Sequence, residues 1–175
     1  MLNDNRWRLA GVLAATLTAS SASAHITLQN RQAPVGSFYK AVFVVPHGCA
    51  GSATTKIRVQ IPDGVIDVKP MPKSGWNVET IKAKYATPYD FHGAKLTEGV
   101  KEVDWSGGKL PDDFYDEFVL SMFLTGDLKA DATLYFPTVQ ECEQGISRWI
   151  EIPADPGQAH DSKWPAPGLK LLPKS

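Results

Sequence analysis

The fold is decided by the stretch Lys56-Ile57-Arg58-Val59-Gln60-Ile61-Pro62-Asp63-Gly64, in which apolar side chains alternate with polar ones until a turn follows. Successive side chains of a β-strand point to opposite faces, so this alternation is typical of a strand that buries one face. Proline, aspartate and glycine together are typical of a turn, because each favours a backbone geometry that turns use. The stretch therefore predicts a half-buried strand that ends near residue 61.

Segments with the composition of strands follow one another along the rest of the chain. We predict strands over residues 38–45, 56–61, 65–68, 76–81, 100–105, 114–124, 132–139 and 146–152. No run of ten or more residues repeats its apolar side chains at helical spacing, and Ser106-Gly107-Gly108 is expected to end one of the strands. Many short strands predict an all-β fold, an antiparallel immunoglobulin-like β-sandwich that forms a single domain over residues 25–175.

The C-terminal segment differs in composition from the rest of the chain. Prolines recur there, at positions 153, 156, 165, 167 and 173. Because proline lacks a backbone N–H and restricts the residue before it, we expect an extended Pro-rich tail that lies along the sandwich without adding a strand to it. Apolar side chains such as Trp164 and Leu169 indicate that this tail is packed rather than free.

The first 24 residues have the three parts of a secretory signal peptide. Arg6 and Arg8 supply positive charge, residues 9–17 are apolar, and Ala22-Ser23-Ala24 matches the small-residue site at which signal peptidase cuts. The apolar part is shorter than the roughly 20 residues that a membrane-spanning helix needs, and no later stretch comes close to that length. We therefore predict cleavage after Ala24, export from the cell, and no membrane span in the mature domain.

Charge and cysteine content narrow the class of protein further. Without the signal peptide, 18 acidic and 16 basic side chains remain, a net charge of −2. This balance offers no basic surface to nucleic acid and no polybasic run to a membrane. The two cysteines are Cys49 and Cys142. Export favours a disulfide between them, and a thiolate pair that binds a metal is the alternative.

Cleavage after Ala24 would make His25 the first residue of the mature protein. An α-amine and an imidazole both lose their proton close to neutral pH, so one terminal histidine can offer a metal two nitrogens. The amine and Nδ1 close a six-membered chelate ring, and nitrogen ligands in a tetragonal arrangement favour Cu(II). Such a chelate still needs a third ligand, ideally a carboxylate from another strand. The alternative is that His25 only follows a cleavage site and has no role.

Carboxylates are concentrated where the chain enters its longest apolar segment, in Asp112-Asp113-Phe114-Tyr115-Asp116-Glu117-Phe118. Acids at the entrance of a strand are often solvated edge residues, which accounts for Asp112 and Asp113. Glu117 lies against the apolar residues 118–120, where an unpaired carboxylate is costly. It therefore needs a cation or hydrogen-bond donors, and a basic side chain would serve as well as a metal.

Four stretches carry a family resemblance, and they occur in the order His25-Ile26-Thr27, Lys69-Pro70-Met71-Pro72-Lys73-Ser74-Gly75-Trp76, Phe114-Tyr115-Asp116-Glu117-Phe118 and Gly145-Ile146-Ser147-Arg148-Trp149. With this order and a histidine directly after the signal peptide, the chain resembles the YcnI-like copper-binding proteins. These are exported bacterial domains with a β-sandwich fold. The resemblance covers essentially all of the mature chain and implies a periplasmic or secreted bacterial protein.

The resemblance implies one Cu(II) per chain, held by a mono-histidine brace. His25 would supply its amine and Nδ1, a glutamate would supply an oxygen, and Trp149 would lie close to the ion. The family's pattern of an acid before phenylalanine occurs twice, as Asp113-Phe114 and as Glu117-Phe118. We assign the ligand to Glu117 because it keeps the residue type, and Asp113 is the alternative.

Trp149 also has an ordinary structural interpretation, since a tryptophan in an alternating strand is usually a packing residue. It falls on the face opposite to Ile146, Ile150 and Ile152. We expect these isoleucines to face the core, which weakens the interpretation of Trp149 as a pure core residue and permits a position at the end of the barrel or at the site.

The sequence as a whole predicts a periplasmic copper chaperone or carrier in copper homeostasis. Its partners would be the copper ion and other periplasmic or membrane copper-handling proteins. One alternative is a copper-dependent oxidoreductase at the same site, although GxSxG and HExxH motifs are absent and His47, His92 and His160 are interpreted as loop or surface residues. The other is an interaction domain that binds no metal, in which His25 is incidental.

Overall fold

The structure, a computed structural model, describes residues 25–154 and 162–174. The regular secondary structure of these residues consists of strands. They are β1 (Thr27–Leu28), β2 (Gln32–Pro34), β3 (Ser37–Val45), β4 (Thr54–Gln60), β5 (Val65–Pro70), β6 (Asn77–Phe91), β7 (Ala94–Leu110), β8 (Asp116–Leu124), β9 (Thr133–Tyr135), β10 (Thr138–Cys142), β11 (Ile146–Trp149) and β12 (Gly168–Leu172). The predicted signal peptide, residues 1–24, and His160 lie outside the described residues.

The strands are arranged in two large sheets and a small one. The first sheet has the order β1-β3-β8-β5 and the second the order β11-β10-β4-β7-β6, and all their pairings are antiparallel. In the small sheet, β2-β12-β9, β12 pairs parallel to β2 and antiparallel to β9. The strand content and the antiparallel pairing of the large sheets confirm the predicted all-β class.

Alternation along the strands builds the core between the two large sheets. Ile57 and Val59 of β4 are completely buried, as the sequence predicts, while Arg58 between them is only half-buried. Phe118 of the first sheet packs edge-on against Trp105 of the second, with ring centroids 5.5 Å apart. The inner faces of the two sheets therefore contact each other, which is the arrangement of a sandwich.

Cys49 and Cys142 form a disulfide, with an S–S distance of 2.08 Å. It joins the loop after β3 in the first sheet to the end of β10 in the second. The predicted disulfide is thus confirmed, and the alternative of a thiolate metal pair is wrong. By closing a loop of 93 residues, the bond stabilises the fold by roughly 4 to 5 kcal/mol in the chain-entropy model.

The predicted end of a strand at Ser106-Gly107-Gly108 is wrong, because β7 continues through these residues to Leu110. A Cβ on Gly108 would lie 2.1 Å from the indole of Trp76, so glycine is needed there for the close approach of that ring. β6 and β7 are also much longer than the predicted 76–81 and 100–105. Much of the added length has both faces exposed and so lacks the alternation that marks a half-buried strand.

The C-terminal tail does add a strand, contrary to the prediction. β12 pairs with β2 and β9, and Leu169 and Leu171 on it are buried. The predicted strand 132–139 is in fact two strands, because the chain leaves β9 at Phe136-Pro137 and enters the second large sheet as β10. Pro137 cannot donate a backbone hydrogen bond, which fits its place between two sheets. Among the described residues there is no helix of the length and apolarity needed to cross a membrane.

Candidate metal centre

His25 lies two residues before β1 and contacts the other large sheet. Its imidazole packs edge-on against the indole of Trp149, with ring centroids 5.5 Å apart and an interplanar angle of 66°. β1 is held beside β3 by the pairing of Thr27 with Val44, and the buried side chains of Ile26 and Leu28 anchor it in the core. A chain terminus is ordinarily mobile unless it is tied down in this way. The segment that begins at His25 therefore has a defined position.

A pocket of about 210 Å³ opens beside His25, between β1 and the segment before β12. Its walls include His25, Thr27 and Arg31 on one side and Pro165 and Gly168 on the other. His25 itself is half-buried. A small solute can therefore reach this residue from solvent.

Trp149 is a core residue as well as the neighbour of His25. Only 2 % of its surface is exposed, and its ring also packs edge-on against Trp164 with centroids 4.8 Å apart. The expectation that the isoleucines would face the core was wrong, since Ile146, Ile150 and Ile152 are exposed. His25 and Trp164 pack on the side of β11 that carries Trp149, so that side is buried and the isoleucine side faces solvent.

The orientation of the indole is fixed by Gln140, a residue that the sequence did not single out. Trp149 Nε1 donates to Gln140 Oε1 at 3.0 Å, while Gln140 Nε2 donates to the carbonyl of His47 at 2.7 Å and to Thr54 Oγ1 at 2.8 Å. The amide is 1 % exposed, so these bonds replace the water that it has lost. A glutamine at a core-facing position of a strand is the signal that could have identified it.

The disulfide lies beside this amide and completes a buried polar cluster. Ser147 Oγ donates to Cys49 Sγ at 3.6 Å, and Thr54 Oγ1 lies 3.8 Å from Cys142 Sγ. Gln140, the disulfide and Trp149 therefore form one continuous packed group. This group holds the loop after β3 against β10 and β11.

Glu117 is the second residue of β8 and is half-buried. It pairs with Val44, which in turn pairs with Thr27, so Glu117 and the start of β1 lie in one row of the first sheet. Two strand spacings separate them, which places the backbones of Glu117 and Thr27 roughly 10 Å apart. The structure thus brings Glu117 to the same region as His25, with β3 between them.

The sequence predicts that the carboxylate of Glu117 needs a cation or hydrogen-bond donors. The basic side chain nearby, Lys73, pairs mainly with the neighbouring Asp116. Lys73 Nζ lies 2.6 Å from Asp116 Oδ1 and donates to the backbone carbonyl of Glu117 at 3.0 Å. The carboxylate of Glu117 makes no hydrogen bond or ion pair within the described part of the chain. Its oxygens are not among the buried polar atoms that lack a partner, so solvent reaches them and a cation could bind there without breaking an ion pair.

Asp113 lies in a different environment, in the turn between β7 and β8. The turn is closed by a hydrogen bond from Phe114 N to the carbonyl of Pro111, and Asp113 is exposed. Water solvates an exposed carboxylate fully, so Asp113 has no need of a cation. Of the two candidate oxygen ligands, Glu117 is the less exposed one and lies in the same sheet row as the start of β1.

A metal site of the usual composition is not found in residues 25–154 and 162–174, where no three His, Cys, Asp or Glu side chains gather in a ligating arrangement. A brace differs from such a site because it takes two nitrogens from one residue, one of them from the backbone. The side chains needed are then one histidine and one carboxylate. The arrangement of His25, Trp149 and Glu117 is compatible with that smaller set.

Comparison with known proteins identifies both a family and a fold. Residues 25–171 match the family described as "Domain of unknown function (DUF1775)". A solved structure, the crystal structure of an uncharacterized protein from Nocardia farcinica with an immunoglobulin-like fold, superposes with a TM-score of 0.62 at 23 % identity, over 85 % of this chain and 98 % of that one. At this identity the likeness establishes the immunoglobulin-like fold. Among curated proteins, none matches the chain.

Proposed function

The chain belongs to the DUF1775 family, which is the YcnI-like family, and from this premise we propose that it is an exported protein that binds one Cu(II) at its processed N-terminus. In this proposal His25 supplies its α-amine and Nδ1, and Glu117 supplies an oxygen. The protein acts in the periplasm as a copper chaperone or carrier.

The observation that carries the proposal is the position of His25. Its ring rests on the buried indole of Trp149 at 5.5 Å and borders a pocket open to solvent. Cleavage after Ala24 would create an α-amine on this same fixed residue. Because both nitrogens then belong to one immobilised residue, little freedom remains to be lost when they close a chelate ring around a metal.

The state of Glu117 supports the assignment of the oxygen ligand. Its carboxylate is half-buried and has no hydrogen bond or ion pair in the described residues, whereas Lys73 is engaged by Asp116. The carboxylate is reached by solvent and is not committed to a basic side chain, so a divalent cation could bind it without breaking an ion pair. Asp113, which is exposed, gains less from a cation.

Trp149 would act as a wall of the site rather than as a strong ligand. Trp149 Nε1 already donates a hydrogen bond to Gln140. The indole therefore meets the imidazole of His25 only through an edge-type contact between the two rings. An aromatic wall keeps water and further ligands from one side of the ion. A copper centre that has few ligands and is open to solvent on one side suits a protein that must release copper as well as bind it.

Two other functions remain as alternatives and are separated by simple assays. A copper-dependent oxidoreductase would use the same centre, and it would consume ascorbate with oxygen or peroxide while converting a substrate. An interaction domain without a metal would leave His25 incidental, and it would show no response to copper. If the protein is a chaperone or carrier, we expect it to bind copper tightly and to convert no substrate.

The test is a Cu(II) titration of the protein purified after export, with intact mass establishing that the chain begins at His25. We expect saturation at one equivalent, quenching of tryptophan fluorescence through Trp149, and an EPR spectrum with nitrogen hyperfine structure. His25→Ala keeps an amine but loses the imidazole, and its affinity should fall at least about tenfold. Unchanged fluorescence and EPR on addition of copper to the processed protein would exclude the proposal.

A further inference from the structure

The pocket beside His25 carries a positive charge that is not balanced within the described part of the chain. Arg31 lines this pocket together with His25 and Thr27. Arg31 is exposed and forms no ion pair with residues 25–154 or 162–174. No Asp or Glu is among the described residues that line the pocket. Because a guanidinium stays protonated at any physiological pH, Arg31 gives the pocket a permanent positive charge.

Backbone hydrogen bonds fix both walls of this pocket. On one side, Lys170 N donates to the carbonyl of Arg31 at 2.8 Å. On the other side, the segment 165–168 is held by Ala166 N, which donates to the carbonyl of Glu151 at 2.9 Å, and by the carbonyl of Pro167, which accepts from Phe136 N at 2.9 Å. The pocket is therefore preformed, and a ligand that enters it has little protein to order.

The size of the pocket limits what it can hold. Its volume is about 210 Å³. Pockets for drug-sized ligands begin at about 300 Å³. At about 30 Å³ for each water molecule, this one holds about seven waters. An ion or a molecule of a few heavy atoms fits such a space, whereas a peptide segment or a nucleotide does not.

The charge of the proposed copper centre favours an anion in this pocket. The amine and Nδ1 of His25 are neutral when they bind a metal, and Glu117 contributes one negative charge. Cu(II) would therefore keep a net charge of +1, and Arg31 adds a second positive charge beside the same pocket. Charges of one sign repel each other and attract an anion. The two nitrogens and one oxygen also leave one position of a tetragonal Cu(II) centre open.

Building on the copper function proposed above, we infer that Arg31 binds the carboxylate of a small organic acid in this pocket, and that this carboxylate supplies the remaining oxygen to Cu(II). A carboxylate has two oxygens with about four lone-pair sites, so one oxygen accepts from Arg31 while the other faces the ion. The planar guanidinium matches a carboxylate better than it matches a spherical anion. The cargo of the protein is then Cu(II) together with a small carboxylate.

Acetate is the probe for this site, and the first experiment needs no variant. The exported protein with one equivalent of Cu(II) is titrated with sodium acetate at constant ionic strength, with the weakly coordinating perchlorate as the replaced anion. We expect a saturable change of the EPR parameters, and pulsed EPR with carboxyl-labelled ¹³C-acetate should show coupling between the ¹³C nucleus and the copper. If the protein binds copper but acetate leaves the spectrum unchanged, only this inference falls. If the exported protein binds no copper, the proposed function falls with it.

Variants then assign the carboxylate to Arg31. Arg31→Gln should weaken the affinity for acetate at least about tenfold, the scale of a lost charge-assisted hydrogen bond, and keep the affinity for Cu(II) measured without acetate. Arg148→Gln is the matched control, because Arg148 is also an exposed arginine and lines a different pocket, on the outer face of the second sheet. Equal affinities for acetate in the two variants would overturn the inference.

A bulky carboxylate separates a small acid from a carboxylate carried by a larger partner. Adamantane-1-carboxylate has the same charged group as acetate on a cage that exceeds the pocket. It should bind the copper-loaded protein at least about tenfold more weakly than acetate, because its carboxylate cannot reach Arg31 and the ion together. Equal binding of the two acids would show that the carboxylate lies outside the pocket, which contradicts the inference.

Discussion

Replacing Gln140 by leucine tests whether the buried amide positions the indole that packs on His25. The substitution keeps the side-chain volume but removes three hydrogen bonds, to Trp149, His47 and Thr54. The indole N–H loses its partner in a place where Trp149 is 2 % exposed, and the carbonyl of His47 loses its donor. Each buried group left without a partner costs about 1 to 3 kcal/mol, while the new leucine side chain regains part of this through apolar burial. The expected net loss of stability is about 2 to 4 kcal/mol.

Urea unfolding measures this loss, and Cu(II) affinity measures its effect on the centre. Affinity for Cu(II) should fall by about tenfold, the lower end of the loss seen when a residue that supports a metal site is removed. Gln60→Leu is the matched control, since Gln60 is exposed at the end of β4, and its stability should stay within about 0.5 kcal/mol of the wild type. If Gln140→Leu were as stable as Gln60→Leu and bound copper normally, the amide would have no positioning role.

Three further outcomes are expected from other parts of the molecule. Glu117→Gln should weaken Cu(II) binding at least about tenfold and change the EPR parameters, whereas Asp113→Asn should change neither; the reverse result would exchange their roles. Burial raises the pKa of Tyr39 from 10.0 to about 12, so its neutral form is favoured in the folded state. The stability that Tyr39 contributes is therefore complete below its unfolded pKa of 10.0 and is lost as pH rises towards about 12, and Tyr39→Phe should reduce this loss in unfolding curves measured across that range. Removing the disulfide by replacing Cys49 and Cys142 with alanine should cost roughly 4 to 5 kcal/mol in denaturant unfolding, and a loss below about 1 kcal/mol would contradict the entropic argument.

Alternation predicted the centre of the fold well because it is a local signal. The pattern around Ile57 and Val59 depends only on neighbouring side chains, and both are completely buried. The same rule misjudged the face of β11. It placed Trp149 and the isoleucines on opposite sides but could not tell which side is covered by another sheet. That depends on His25 and Trp164, which pack on Trp149 from distant parts of the chain.

The failures at Gly108 and in the tail have similar causes. Glycine is a turn signal in sequence, yet here it makes room for Trp76, a ring from the segment that leads into the neighbouring strand. The tail was expected to add no strand because of its prolines, but residues 168–172 contain none and pair with β2 and β9. Both errors arise where a distant partner outweighs the local preference of the chain.

The candidate site shows the same division between local and distant information. The position of His25 after a predicted cleavage site is visible in the sequence, and the resemblance to YcnI-like proteins suggested Trp149. The sequence did not suggest Gln140, because its importance comes from a bond to His47, 93 residues away. The close contact between His25 and Trp149 likewise joins residues from opposite sheets.

The central claim is that copper is held by the free amine and the imidazole of one terminal residue. It is tested most directly by adding a single alanine between the cleavage site and His25, and measuring Cu(II) affinity beside that of the unextended protein. The extension leaves every side chain of the protein in place, turns the amine of His25 into a peptide nitrogen and moves the free amine one residue away. We expect affinity to fall by more than about 100-fold, beyond the loss expected for an orienting residue. Equal affinity in the two proteins would contradict the claim.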